Sequence, residues 1–235
     1  MPRCSELEGA VVVIDVLRSF TTAAYALARG ADEVMAVDSV EAARALRAAD
    51  PTALAIGSVG GGAPAPGLDL GNSPSQLAAH PVRGRRVVLY TAGGTRALVA
   101  CHRASVLLAA SLVCAGATAA RLRALDPPTV TLVVTGIWTD RDGDEDHACA
   151  DLIEALLRGD DPPRWRYAAR VRESDFGRRF AAGTDPNLPV ADLECCAAVD
   201  RFDFALGIRR VAGGAAIRRT AVRGLPGCTR AAAAA

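Results

Sequence analysis

Hydrophobic positions along this chain follow two alternating rhythms. Short, mainly apolar runs at residues 11–15, 33–37, 53–57, 86–89, 105–109 and 130–135 read as strands. Between them, Ala, Leu and Arg recur at helical spacing over residues 21–29, 39–50, 95–101, 111–125 and 145–157. The punctuation agrees with this division. Gly30 closes the first helix, Ser39 caps the second, which ends near Asp50-Pro51, and Ser73-Pro74 opens another by the cap-then-proline rule. Residues 58–74 are rich in Gly and Pro and too long for a mere connector. Beyond Asp160-Asp161-Pro162-Pro163 the chain turns more polar and helical, and strand-like runs at 204–208 and 215–219 close it.

Strands alternating with helices predict an α/β fold, a three-layer α/β/α arrangement around a mostly parallel sheet. Residues 1–230 read as a single domain, with 159–163 as the one point of subdivision, followed by a disordered Ala tail at 231–235. Open sheets of this kind bind ligands beyond the carboxyl ends of their strands. That rule gathers Asp15 with the loops at Gly67, Gly93 and Gly136.

Composition narrows the chemistry. A net charge of +1 gives no electrostatic footprint for nucleic acid. Every basic residue is Arg, so Schiff-base chemistry and a P-loop lysine are excluded. The seven cysteines are odd in number and lack paired or zinc-ligand spacing, which predicts reduced thiols in a cytoplasmic protein. The start does not read as a signal peptide, and no apolar stretch is long enough to span a bilayer.

Candidate chemistry concentrates in glycine-framed loops. Asp15 ends the most apolar strand and reads either as a helix N-cap or as a Mg²⁺ ligand, or a base acting on metal-held water. Arg18, one turn on, suits a phosphate or sulfonate oxygen. A haloacid-dehalogenase nucleophile is disfavoured, since Leu17 stands where that chemistry needs a second Asp. In Gly67-Leu68-Asp69-Leu70-Gly71-Asn72-Ser73-Pro74, Asp69 reads as a turn residue or a second metal ligand, and Asn72 and Ser73 as caps or anion contacts. Gly93-Gly94-Thr95-Arg96 offers backbone amides, a hydroxyl and a guanidinium to a phosphate. The acidic run 140–146 departs from a calcium loop, because Glu145 replaces the required Gly; Glu145 or Asp146 remains a candidate metal ligand. His80, His102 and His147 lack ligand spacing, and the Cys195-to-Arg201 match to a phosphatase loop has no glycine between.

The order of these motifs resembles the 2-phosphosulfolactate phosphatase (ComB) family. The likeness rests on Val13-Ile14-Asp15-Val16-Leu17-Arg18 with Thr21-Thr22, on the Gly67-to-Pro74 string, and on Gly94-Thr95-Arg96-Ala97-Leu98. It continues through Glu145-Asp146 with Cys149-Ala150, Ser174-x-x-Gly177, and Asp192-x-x-x-Cys196. The resemblance implies a magnesium-dependent phosphatase that hydrolyses (R)-2-phospho-3-sulfolactate to 3-sulfolactate and phosphate. Asp15, Asp69 and Arg18 would then be catalytic. Asn72, Ser73, Gly93, Gly94, Thr95 and Arg96 would bind a small phosphorylated metabolite. Asp15, Asp69, Glu145 and Asp146 would form the metal set. Three positions depart from the family pattern: Ser58 replaces a Glu, Gly93 an Asn, and Cys114 a further Asn. These departures keep open a rival, a non-catalytic anion-binding protein on the same scaffold. The physiological substrate and the oligomeric state, with a homodimer as one candidate, are not determined at this level.

Overall fold

The computed structural model describes residues 4–60 and 62–222. Cys228 and the Ala tail lie outside the described residues. A short 3₁₀ turn, Cys4–Glu6, leads into β1 (Ala10–Ile14), whose five side chains are all buried. Then follow α1 (Ser19–Ala28), β2 (Glu33–Val37), α2 (Val40–Ala49) and β3 (Leu54–Ser58). The long loop ends at α3 (Pro74–Leu77), followed by β4 (Arg86–Thr91), α4 (Gly94–Ala100) and β5 (Val106–Ala110). A 3₁₀ turn at Leu112–Cys114 precedes α5 (Ala115–Leu125), β6 (Val130–Val134) and α6 (Asp144–Arg158). The polar C-terminal third supplies α7 (Arg164–Glu173), α8 (Asp175–Ala181), α9 (Val190–Cys196), β7 (Phe204–Val211) and β8 (Gly214–Ala221).

Local signals set most boundaries. Ser39 Oγ accepts the Ala42 N–H and Ser73 Oγ that of Gln76, so both expected caps form. Gly159 terminates α6 at φ 92°, a conformation that a Cβ would strain.

The eight strands form one sheet in the order β3-β4-β2-β8-β7-β5-β1-β6. Two parallel triplets, β3-β4-β2 and β5-β1-β6, flank the antiparallel hairpin β7–β8. β8 pairs antiparallel with β2, and β7 antiparallel with β5. Three antiparallel steps therefore separate the triplets, and they run in opposite senses. The sequence predicts two closing strands; the structure places them at the centre of the sheet.

One face of the sheet packs against α1, α3 and α4 through Phe20, Leu27, Leu77 and Leu98, all buried. On the other face, α5 and α6 cover β5 and β1 through Ala119, Leu122, Leu152 and Ile153, while α2 covers the β2–β4 side through Ala43. This is the expected three-layer α/β/α architecture. Helices α8 and α9 join the α6 side through Phe176, Phe180 and Leu193. Among the described residues no helix is long and apolar enough to cross a membrane.

Candidate active site

Segments from both parallel triplets meet at one cleft. It is lined by Asp15, Leu17, Arg18 and Ser19 after β1, by Ser58 ending β3, and by Asn72. Thr91, Ala92 and Gly93 follow from the end of β4, and Thr135, Gly136, Trp138 and Arg141 from the segment after β6. The cleft encloses about 410 Å³ of empty space, its open mouth included.

Asp15 is held from three directions. Its Oδ1 accepts the Ser19 N–H at 2.9 Å, while Oδ2 accepts the Ser19 hydroxyl and the Gly94 N–H, the latter at 3.1 Å. Ser19 Oγ also lies 2.9 Å from Thr91 Oγ1, which ties the end of β1 to the end of β4. Position 94 must be glycine here, since a Cβ would collide with Asp15 Oδ2. Burial raises the Asp15 pKa, against the lowering pull of the Ser19 and Gly94 bonds and of the Arg141 charge. Oδ1 has a single donor and keeps acceptor capacity for a ligand.

Two more acidic groups stand behind Asp15. Asp146 Oδ1 accepts Val16 N–H at 2.7 Å, and Oδ2 accepts the N–H groups of Thr135 at 2.9 Å and Gly136 at 2.8 Å. This carboxylate staples the end of β1 to the end of β6, and both its oxygens are engaged. Burial, then the Asp15 and Glu145 charges, push its pKa well up. Glu145 is buried, and its Oε2 has no hydrogen-bond partner among the described residues. Burial is the main cause that raises its pKa to about 7, with Asp142 and Asp15 adding to it. A Cβ on Gly136 would sit 2.9 Å from Glu145 Oε1, so Glu145 lies directly behind the cleft wall.

Arg18 lines the cleft, but its guanidinium is anchored below it. Nη1 donates to Asp192 Oδ2 at 2.6 Å and to Asn187 O at 3.0 Å, and the group lies 5.1 Å from the Phe180 ring centre. The Leu17–Arg18 peptide is cis. Asp192 is fully buried; its Oδ1 accepts from Ser73 Oγ at 2.8 Å and from Ser75 N and Oγ at 3.0 and 2.6 Å. Ser73 thus caps α3 and binds Asp192, and it does not line the cleft. Its neighbour Asn72 does; Asn72 is buried with Oδ1 unpartnered among the described residues.

The remaining predicted residues separate. Asp69 is not brought to Asp15: its Oδ2 accepts Arg47 Nε at 2.9 Å and Ala55 N at 2.8 Å, so it fastens the loop to α2 and β3. Those bonds outweigh the effect of burial and lower its pKa. Thr95 closes the end of β4 by bonding Thr91 N at 2.8 Å and Thr91 O at 3.0 Å. Arg96 is exposed on α4 and does not line the cleft. Gly93 lines the cleft, whereas the Gly94 amide is committed to Asp15. Ser174 caps α8 through the Gly177 N–H at 2.9 Å, which accounts for the Ser174-x-x-Gly177 pattern as a helix start. Of the three departures, Ser58 and Gly93 face the cleft; Cys114 is buried before α5, with its thiol donating to Ser111 O at 3.5 Å.

Sequence reading missed Arg141 and Trp138, which complete the cleft wall. Arg141 sits inside the acidic run, where charge alone disguised it. Asp192 appeared there only as part of a pattern, and nothing in the sequence joins it to Arg18 across 174 positions.

Comparison with known proteins identifies a family. The family profile described as 2-phosphosulpholactate phosphatase matches residues 2–208. A protein of Parasynechococcus marenigrum (strain WH8102), named probable 2-phosphosulfolactate phosphatase, is 35% identical over 213 residues, covering 82% of this chain and 86% of the relative. A protein of the same name from Synechocystis sp. (strain ATCC 27184 / PCC 6803 / Kazusa) is 41% identical over 154 residues, covering 65% of this chain and 63% of its own. One from Deinococcus radiodurans is 40% identical over 151 residues, covering 62% and 61%. The chain belongs to the 2-phosphosulpholactate phosphatase family.

Proposed function

We propose that this protein is a phosphoric monoester hydrolase for a small phosphorylated acid, dependent on Mg²⁺, with 2-phospho-3-sulfolactate as the substrate suggested by its relatives' names. The observation that carries this reading is Asp15: a buried carboxylate at a cleft, fixed by Ser19 and Gly94, with acceptor capacity left on Oδ1.

The donors around it fit a hard cation. Asp15 Oδ1, Glu145 Oε2 and Asn72 Oδ1 are oxygens, and the last two are buried without hydrogen-bond partners among the described residues. Among the described residues, no three His, Cys, Asp or Glu side chains converge into an all-protein cage. Mg²⁺ needs no such cage, because it keeps several waters and takes one or two carboxylates together with substrate phosphate. Asp15 and Glu145 would hold it, with Asn72 as a neutral donor. Asp146, with both oxygens engaged, serves as a brace, and Asp69 has no part in the set. When bound, the ion would neutralise charge on the phosphoryl oxygens and lower the pKa of coordinated water.

The chain's own groups do the positioning. Asp15 Oδ1 takes up the approaching nucleophile's proton or orients it, with Ser19 and Gly94 fixing the angle. Cleavage of the ester P–O bond consumes one water, whose oxygen stays on phosphate while a proton ends on the alcohol. Arg18 positions the loop after β1 through Asp192. Ser58 supports a second reading, because it occupies a cleft position where the family pattern has Glu: binding of the anion without turnover.

Phosphate release from racemic 2-phospho-3-sulfolactate, with Mg²⁺ and with chelator, tests the first reading. Metal-dependent release that Asp15→Asn abolishes is expected. Binding of the ester with no release would transfer the assignment to the second.

A further inference from the structure

We infer that Arg141 is the specificity residue of this cleft, recognising a second anionic group, a carboxylate or sulfonate, on the phosphoester. This rests on the hydrolase reading above and assigns a residue of the same site its role.

Arg141 lines the cleft with a side chain only 7% exposed. Its Nε is buried and makes no hydrogen bond with any described residue. The Asp140 carboxylate stands 3.6 Å from it and is itself bonded to Arg179 at 3.1 Å. Two rings hold the guanidinium instead: its Cζ lies 4.3 Å from the Phe176 ring centre and 5.3 Å from that of Trp138. Such contacts retain a desolvated cation without using its N–H groups. What remains is the planar donor edge, the part that matches carboxylate and sulfonate oxygens.

The other cleft groups leave this role to Arg141. Arg18 already donates to Asp192 and Asn187 O. Arg141 is near enough for its charge to influence Asp15, yet no ion pair joins the two. They stand apart in one cleft. A molecule engaging both meets a metal-binding carboxylate at its phosphoryl end and a desolvated guanidinium at the other. An ester lacking a second acid would leave that buried donor unsatisfied, a loss that discriminates more strongly than a missing apolar contact.

Steady-state kinetics on 2-phospholactate and glycerol 2-phosphate, for wild type and Arg141→Gln, test the inference. The expected result is a rise in KM for 2-phospholactate about tenfold or more larger than that for glycerol 2-phosphate, beyond any change the two esters share through the Arg141 charge acting on Asp15. Equal losses on both esters would overturn it. Calorimetric titration with sulfoacetate, which carries two acids and no phosphate, is independent of turnover. Wild type should bind it and Arg141→Gln should bind it at least about tenfold more weakly; no binding by wild type, or equal binding by both, overturns the assignment. Should wild type hydrolyse neither ester, the hydrolase reading stands or falls on 2-phospho-3-sulfolactate, and sulfoacetate binding alone decides the role of Arg141. Should Arg141→Gln misfold, Arg141→Lys keeps the charge and loses the planar fork, and is read by the same criteria.

Discussion

Asp192 Oδ2 lies 2.6 Å from Arg18 Nη1, with both side chains all but excluded from solvent. Asp192 also receives three bonds from Ser73 and Ser75, so a single carboxylate joins the loop after β1 to the start of α3. Asp192→Ala would leave the Arg18 charge buried without its carboxylate. The expected cost is about 3–5 kcal/mol, read as a lower urea midpoint at unchanged slope. A cost below about 1 kcal/mol, the range of surface pairs, would show that solvent or another group takes over.

Gly94 and Gly93 are adjacent yet should respond differently. A Cβ at 94 collides with Asp15 Oδ2, while at 93 it meets Thr135 O at an ordinary 3.5 Å. Gly94→Ala should lower kcat/KM on the order of 10²-fold by displacing Asp15, and Gly93→Ala should stay within a few-fold. Equal responses would mean that the Asp15 cradle does not set the rate.

The two aspartates placed together by sequence separate in the same way. Asp15→Asn should abolish phosphate release. Asp69→Asn should leave it within about twofold, since a substitution away from the cleft acts on stability alone. Loss of activity in Asp69→Asn, with an unchanged melting temperature, would return that residue to the site.

Glu145 titrates in the folded protein at about 7 against an ordinary 4.5, chiefly because it is buried. Between those values the folded state binds more protons than the unfolded chain, so this group's contribution to stability falls as pH rises from about 4.5 to 7. In chelator, Glu145→Gln should flatten that slope and be more stable than wild type at pH 8. An unchanged decline in the variant would assign the slope to Asp15 and Asp146.

Ser58 lines the cleft, at a position where the family resemblance implies Glu. Ser58→Glu adds a carboxylate oxygen there and should raise Mg²⁺ affinity or turnover, as measured by metal titration of phosphate release. No change in either would mean that the site has been rebuilt around other donors.

Much of this architecture was legible because it is local. The apolar runs of β1 and β2, the caps Ser39 and Ser73, and the terminating Gly30 each depend on a few neighbouring residues. Asp15 could be singled out for the same reason: a carboxylate at the end of a fully apolar strand has few bland explanations. The alternation of strand and helix determined the three layers and the family motifs their order.

Only tertiary structure decided the rest. The hairpin β7–β8 enters the sheet between β2 and β5, a choice made by long-range pairing and hidden from periodicity. Asp69 and Asp15 both sit near glycines after apolar runs, yet Arg47 and the Ala55 amide claim the first while Ser19 and Gly94 hold the second at the cleft. Arg96 and Arg141 are chemically alike, but α4 turns one outward and Phe176 with Trp138 hold the other in the cleft wall. Sequence fixes which groups a segment can offer; which of them meet depends also on contacts such as Asp15 with Gly94 and Arg18 with Asp192, 79 and 174 positions apart, whose geometry exists only once the layers have packed.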